Sequence, residues 1–128
     1  MTTSKSGKMS DTSTPAYLVV CGRSLGREAD PEYGRLAAPA AEKAQLKALA
    51  FGEEGSAQMK LLEGEIPPGV TFFGVEEFPS MAALEEFWFS AAYQSAIPFR
   101  SESFKLEFVV AVDGISEAQR KAAEQAAE

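Results

Sequence analysis

The sequence predicts an α+β fold, and three observations carry the prediction. The chain has 128 residues, enough for one hydrophobic core but not two. Its apolar runs are strand-sized and separated by helix-start signals rather than gathered into long helical periods. Apolar residues make up 45% and charged residues 24% of the chain, the balance of an ordinary globular protein.

Taken in order, residues 1–15 are polar and read as a disordered tail. Ala16 to Arg23 is a β-branched, apolar run that reads as a strand. Asp30-Pro31-Glu32 supplies a helix N-cap followed by proline at the first helical position, opening a helix to about Ala44 with a kink or break expected at Pro39. Leu46 to Phe51 and Ala57 to Glu63 read as short strands around a turn marked by Gly52 and Gly55. Pro67-Pro68-Gly69 turns the chain into a stronger strand, Val70 to Phe78. Ser80 is placed to cap an amphipathic helix carrying Leu84, Phe87 and Trp88, and a short helical turn through Tyr93 stops near Pro98. In Phe104 to Val112, Phe104, Leu106, Phe108, Val110 and Val112 alternate with the residues between them, which predicts a strand with that set on its buried face. Ser116-Glu117-Ala118-Gln119 fits a capping box, so residues 115–128 read as an added C-terminal helix.

That order is the ferredoxin-like βαββαβ sandwich, spanning residues 16–114. Two helices cover one face of such a sheet. The other face, expected to carry Val109, Ala111 and either Phe72 or Phe73, needs a partner. The simplest partner is a second copy, giving a homodimer whose two sheets enclose a cavity.

Nineteen acidic against twelve basic residues give a net charge of −7. With no local basic patch, that charge argues against nucleic acid and against anionic membrane surfaces as partners. No apolar run is long enough to span a bilayer and the first residues match no secretory signal, so a cytoplasmic protein is expected. Histidine is absent, which removes Ser-His-Asp and Cys-His nucleophile systems and His-ligated zinc or haem from the chemistry this chain can supply. No cofactor and no metal are expected.

Gly22-Arg23-Ser24-Leu25-Gly26 has the G-x-S-x-G spacing of a nucleophile elbow, but that elbow works only with a histidine to take the serine proton. The segment reads as a loop with turn glycines. Glu76 and Glu77 are adjacent at a strand end, so alternation sends one to each face. The one facing an apolar cavity has its neutral form favoured and suits general acid or base work; the other reading is a strand-end carboxylate that is solvated or caps the following helix. Arg100 and Tyr93 can anchor a substrate carboxylate and donate a hydrogen bond, or else serve an interface, and Tyr33 carries the same two readings. Phe87, Trp88 and Phe89 are consecutive in a helix and cannot all face one way, so Trp88 is a candidate for the cavity mouth. Tyr17 and Cys21 share one face of the first strand. If that is the barrel face, both line the cavity, Cys21 as a small hydrophobe or a thiol.

Several segments together carry a resemblance: Ala16-Tyr17-Leu18-Val19-Val20, Tyr33 to Pro39, Leu62-Glu63-Gly64-Glu65, Glu77-Phe78-Pro79-Ser80, and Ser90-Ala91-Ala92-Tyr93-Gln94 followed by Arg100. From Ala16 to Gly114 the chain resembles the bacterial family called domain of unknown function 1330, of the dimeric α+β barrel group. The resemblance implies that fold, a homodimer, and Glu77 as the motif carboxylate. The chain departs from the family pattern at Gln45-Leu46, where a Gly-Gly turn is usual, and at Phe51, Cys21 and Ala91. These changes imply a more apolar cavity.

The expected function is a small-molecule-metabolising, cofactor-independent enzyme of isomerase, cyclase, lyase or monooxygenase type. Glu77, Tyr93 and Arg100 are its candidate catalytic groups, and Tyr17, Cys21, Tyr33 and Trp88 line its substrate site. A non-catalytic ligand-binding or structural dimer module is the alternative, distinguished by a cavity filled with side chains.

Overall fold

The computed structural model describes residues 14–127, so the tail expected over residues 1–15 lies almost wholly outside the described residues. Eight elements follow in chain order: β1 (Ala16–Ser24), α1 (Pro31–Lys43), β2 (Lys47–Glu53), β3 (Phe72–Phe78), α2 (Met81–Trp88), α3 (Ala91–Arg100), β4 (Phe104–Asp113) and α4 (Glu117–Ala127). The strands form one antiparallel sheet in the order β2-β3-β1-β4. This is the ferredoxin-like arrangement, with α1, α2 and α3 over one face.

The capping signals work as their chemistry requires. The Asp30 carboxylate accepts from Glu32 N at 2.9 Å, and Ser80 Oγ accepts from Ala83 N at 3.1 Å. Ser116 and Gln119 exchange reciprocal bonds of 2.7 and 3.0 Å, completing the capping box before α4, whose residues are all exposed. Pro39 does not break α1, which continues to Lys43, and α3 runs through Pro98 to Arg100. Both prolines lie on exposed helix surface, where the carbonyl one turn back that loses its N–H partner is left to water.

Ala57 to Glu63 forms no strand. The adjacent Leu61 and Leu62 would point to opposite faces of a strand, and both are exposed instead. The segment folds back so that Gly52 faces Met59, where an added Cβ would come within 2.9 Å of the Met59 Cβ.

The last strand does not keep one alternation along its length. Cys21 pairs with Phe108 but Gly22 pairs with Leu106, so Glu107 is an extra residue and β4 carries a bulge. The bulge flips the alternation. Leu106 and Phe104 therefore face the helices, while Phe108, Val110 and Val112 face the open side and are 46%, 43% and 48% exposed. Val109, with Val20 as its partner, and Ala111, with Leu18, then lie on the helix side rather than on the open face. Phe72 is buried on the helix side, which leaves Phe73 to the open face. Gly22 is a strand residue here and not a turn residue. A Cβ at that position would meet the Lys105 carbonyl oxygen and come within 2.8 Å of Leu106 Cα, so β4 closes on β1 at the bulge only because residue 22 has none.

The core lies between the sheet and the helices, built on Ala16, Leu18, Phe78, Leu84, Phe87, Tyr93 and Ala96. Ring contacts of 5.3 Å between Phe78 and Phe87 and 4.5 Å between Phe87 and Tyr93 run from β3 through α2 to α3.

α1 ends on Gln45 in the left-handed region, φ 60°, with Leu46 N donating to Ala41 O at 3.0 Å. Gln45→Gly removes the Cβ clash at this exposed position but loosens the unfolded chain. The variant is expected to be more stable by about 0.5–1 kcal/mol in urea titration.

Candidate functional site

A cavity of about 210 Å³ opens between the helices and the sheet. Its walls are mainly apolar, with Leu18, Val20, Phe51, Phe72, Leu106 and Val109 among them. Four groups interrupt that surface with polar chemistry: Tyr33 from α1, Glu76 from β3, and Tyr93 and Arg100 from α3. The cavity thus lies within one copy of the chain, on the covered side of the sheet.

Tyr93 and Arg100 are seven residues apart on α3, two turns along one face, so their side chains meet. Arg100 Nη1 donates to the Tyr93 hydroxyl at 2.8 Å, and the Tyr33 and Tyr93 hydroxyls are 3.0 Å apart. Because Tyr93 accepts from the guanidinium, its own proton is free for Tyr33 or for the cavity. Burial first, and the hydrogen bond to Tyr93 second, push the Tyr33 phenol well above its ordinary value. Tyr33 therefore stays a neutral phenol near pH 7. Trp88 packs at 5.2 Å from Tyr93 and lies 6.0 Å beneath the Arg100 guanidinium carbon, which joins the indole to the same cluster.

Glu76 is the carboxylate of the cavity. Its register partners are Leu18 and Ala48, and among the described residues no hydrogen bond or ion pair reaches its side chain. Desolvation by burial raises its pKa. Glu77, the motif carboxylate, points to the open face by strand alternation, opposite Tyr17, with Lys47 Nζ 3.8 Å away. It does not line the cavity.

Tyr17 and Cys21 go with Glu77 to the other face and also stay out of the cavity. Burial followed by the Glu77 charge raises the Tyr17 pKa, and burial raises that of the Cys21 thiol, which disfavours a thiolate. Of the sequence candidates, Tyr33, Trp88, Tyr93 and Arg100 come together. Glu76 takes the place given to Glu77. The three consecutive aromatics divide as helical geometry demands, with Phe87 buried, Trp88 at the cavity and Phe89 outside.

The motif residues around the site are mostly architectural. Ser90 Oγ accepts from Tyr93 N at 3.1 Å and donates to Phe87 O at 2.8 Å, while Gln94 Nε2 donates to Trp88 O at 2.6 Å. This tight α2–α3 corner aims Trp88 and Tyr93 at the same space.

The raised Glu76 pKa makes a stability prediction. Its folded-state stability is fully present below the unfolded glutamate pKa of about 4.3 and falls as pH rises through the folded value, because the charged form is penalised by burial. Glu76→Gln removes that penalty. The variant should therefore gain stability relative to the parent as pH rises from 4 to 7 in denaturation at a series of pH values, and show no such gain near pH 4.

Comparison with known proteins adds family and fold. The chain is similar to a protein of unknown function from Rhodopseudomonas palustris at 20% identity, over 80% of this chain and 83% of that one, with a TM-score of 0.57. A hydroxynitrile lyase from Passiflora edulis matches at 14% identity, over 80% and 94% of the two chains, with a TM-score of 0.49. A dimeric ferredoxin-like protein of unknown function from Thermobifida fusca matches at 15% identity, over 80% and 91%, with a TM-score of 0.41. No curated protein matches in sequence. Among the described residues no helix is long and apolar enough to cross a membrane. The family profile described as Domain of unknown function (DUF1330) matches residues 15–115, and the chain belongs to that family.

Proposed function

We infer that this protein is a cofactor-independent enzyme acting on a compact, largely apolar carbonyl compound by proton transfer. The observation that carries the reading is a Glu76 carboxylate without a partner among the described residues, facing the same apolar cavity as a Tyr33–Tyr93–Arg100 hydrogen-bond chain. In the ionised form Glu76 takes a proton from the carbon next to the substrate carbonyl. The electron pair moves onto the carbonyl oxygen, and a tyrosine hydroxyl donates to the developing oxyanion while Arg100 withdraws charge through Tyr93. Returning the proton from Glu76 to a second position completes an isomerisation; expelling a leaving group instead completes an elimination. Tyr33 cannot serve as the base, since its pKa is raised.

The working unit we propose is a homodimer joined through the open sheet face. Val19, Phe73, Val75, Phe108, Val110 and Val112 make that face apolar, and a second copy offers the same surface in return. Facing sheets would bury these side chains and leave each cavity inside its own subunit.

Two measurements check the reading. In deuterium oxide, incubation with a panel of small ketones and aldehydes should produce enzyme-dependent C–H exchange by proton NMR for at least one compound. Glu76→Gln should slow that exchange roughly 100-fold or more, with unchanged far-UV circular dichroism, and Glu77→Gln should leave it within about twofold. Compounds that bind without any exchange would leave a ligand-binding module in place of an enzyme. Separately, light scattering should give a dimer for the parent and a folded monomer for Val110→Asp; a monomeric parent would end the dimer proposal.

A further inference from the structure

We propose that the acid/base site inferred above takes an aryl ketone or aldehyde, its ring seated over Gly74 against Phe51 and Phe72 and its carbonyl turned toward Glu76 and the tyrosines; this rests on that reading of the cavity and names its substrate class.

Strand β3 sets the length of the seat. Phe72, Gly74 and Glu76 follow one another on the face toward the helices, at roughly 6–7 Å per step, and all three line the cavity. Gly74 leaves the middle step empty, a gap about as long as a phenyl ring. Its register partners are Val20 on β1 and Phe51 on β2, both cavity residues, so the gap has a wall on either side. A Cβ at Gly74 would lie 3.6 Å from Phe51 Cδ1, which puts the Phe51 ring at ordinary contact distance from whatever occupies this step.

The end of the seat away from Glu76 is aromatic. Phe51 and Phe72 are 5.4 Å apart and tilted by 32°, and Phe72 meets Phe104 edge-on at 5.3 Å. Phe72 and Phe104 stand on the strands either side of β1, and their rings reach each other across it where Gly22, the partner of Phe72, carries no side chain. Ring against ring in tilted or edge-on geometry gains more than its buried area alone. Phe51 is 52% exposed although it lines the cavity, so a ring over Gly74 has apolar surface left to cover.

The other end is polar. With the ring over Gly74, the carbon joining it to the carbonyl comes beside Glu76, one step along β3, while the linked Tyr33 and Tyr93 hydroxyls supply the donor for the carbonyl oxygen. Glu76 takes a proton from that carbon, the C–H electron pair becomes the enolate with its charge on oxygen, and the same carboxyl returns the proton, so atoms and charge balance with no further reactant. Conjugation of the enolate with the ring stabilises it, which suits so weak a base as a carboxylate.

Trp88 is the only tryptophan of the chain and lines the cavity, so its fluorescence reads this site. Phenylacetone and cyclohexylacetone share one skeleton and differ in the ring alone. Phenylacetone should bind about tenfold more tightly, and in deuterium oxide it should show enzyme-dependent exchange at the methylene between ring and carbonyl ahead of the methyl group. Phe51→Leu should narrow the preference for phenylacetone to within about threefold. Gly74→Ala, whose added methyl meets Phe51 at an ordinary distance, should keep its circular dichroism and weaken phenylacetone about tenfold by filling the seat. Equal binding of the two ketones, or a Gly74→Ala variant that binds phenylacetone as the parent does, would overturn the ring seat, while exchange lost in Glu76→Gln would still uphold the acid/base reading. A preference for phenylacetone without exchange of any carbonyl compound would uphold the seat and overturn the acid/base reading. Binding of neither ketone would overturn both.

Discussion

The site depends on one side chain, Tyr93, serving two masters. Its ring is a core element, only 4% exposed, packed on Phe87 and Trp88 of α2 and edge-on to Tyr33 of α1 at 6.1 Å. Its hydroxyl is the junction of the polar chain that ends at Arg100. Fixing the ring therefore fixes the donor, with little conformational entropy left to lose when a ligand arrives. The Ser90–Gln94 corner fixes the ring in turn, since its hydrogen bonds set the angle between α2 and α3.

Beneath this cluster the sheet decides what the cavity contains. Strand alternation in β3 turns Phe72, Gly74, Glu76 and Phe78 toward the helices. Gly74 contributes no side chain, and the nearest atom to a Cβ there would be Phe51 Cδ1 at 3.6 Å, so a void persists where a larger residue would fill it. Glu76 sits beside that void with no neutralising partner among the described residues, the arrangement that raises a carboxylate pKa without an ion pair to lower it again.

Much of this arrangement can be read in the sequence because it rests on local chemistry. Asp30-Pro31, Ser80 and Ser116 announce their helices through capping, and the spacing of Tyr93 and Arg100 places them on one helix face. The parts that escape reading are those set by pairing between distant segments. The bulge at Glu107 leaves the run Phe104 to Val112 looking perfectly alternating, yet it reverses which face Phe108, Val110 and Val112 occupy. That reversal puts Phe108, Val110 and Val112 on the open face and Val109 and Ala111 on the helix side. The same dependence on register separates Glu76 from Glu77: two adjacent carboxylates are equivalent until β1 pairs Leu18 with one and Tyr17 with the other. Pro39 and Pro98 stand inside α1 and α3 on exposed surface, where water takes the carbonyl that each leaves without an N–H partner.

The departures from the family pattern also acquire physical meaning. Gln45 occupies a left-handed position that glycine takes without strain, and Phe51 adds an aromatic wall to the cavity, 5.4 Å from the Phe72 ring. The family match covers residues 15–115 and so speaks to the scaffold.

A high-resolution crystal structure of the purified protein tests the central claim most directly. The expected result is an open cavity on the helix side of the sheet, with ordered water or a co-purified molecule bonded to Glu76 and the Tyr33–Tyr93 pair, and Glu77 on the opposite face. A cavity closed by Phe51 and Phe72, with the Glu76 carboxylate swung out to bulk solvent, would contradict it.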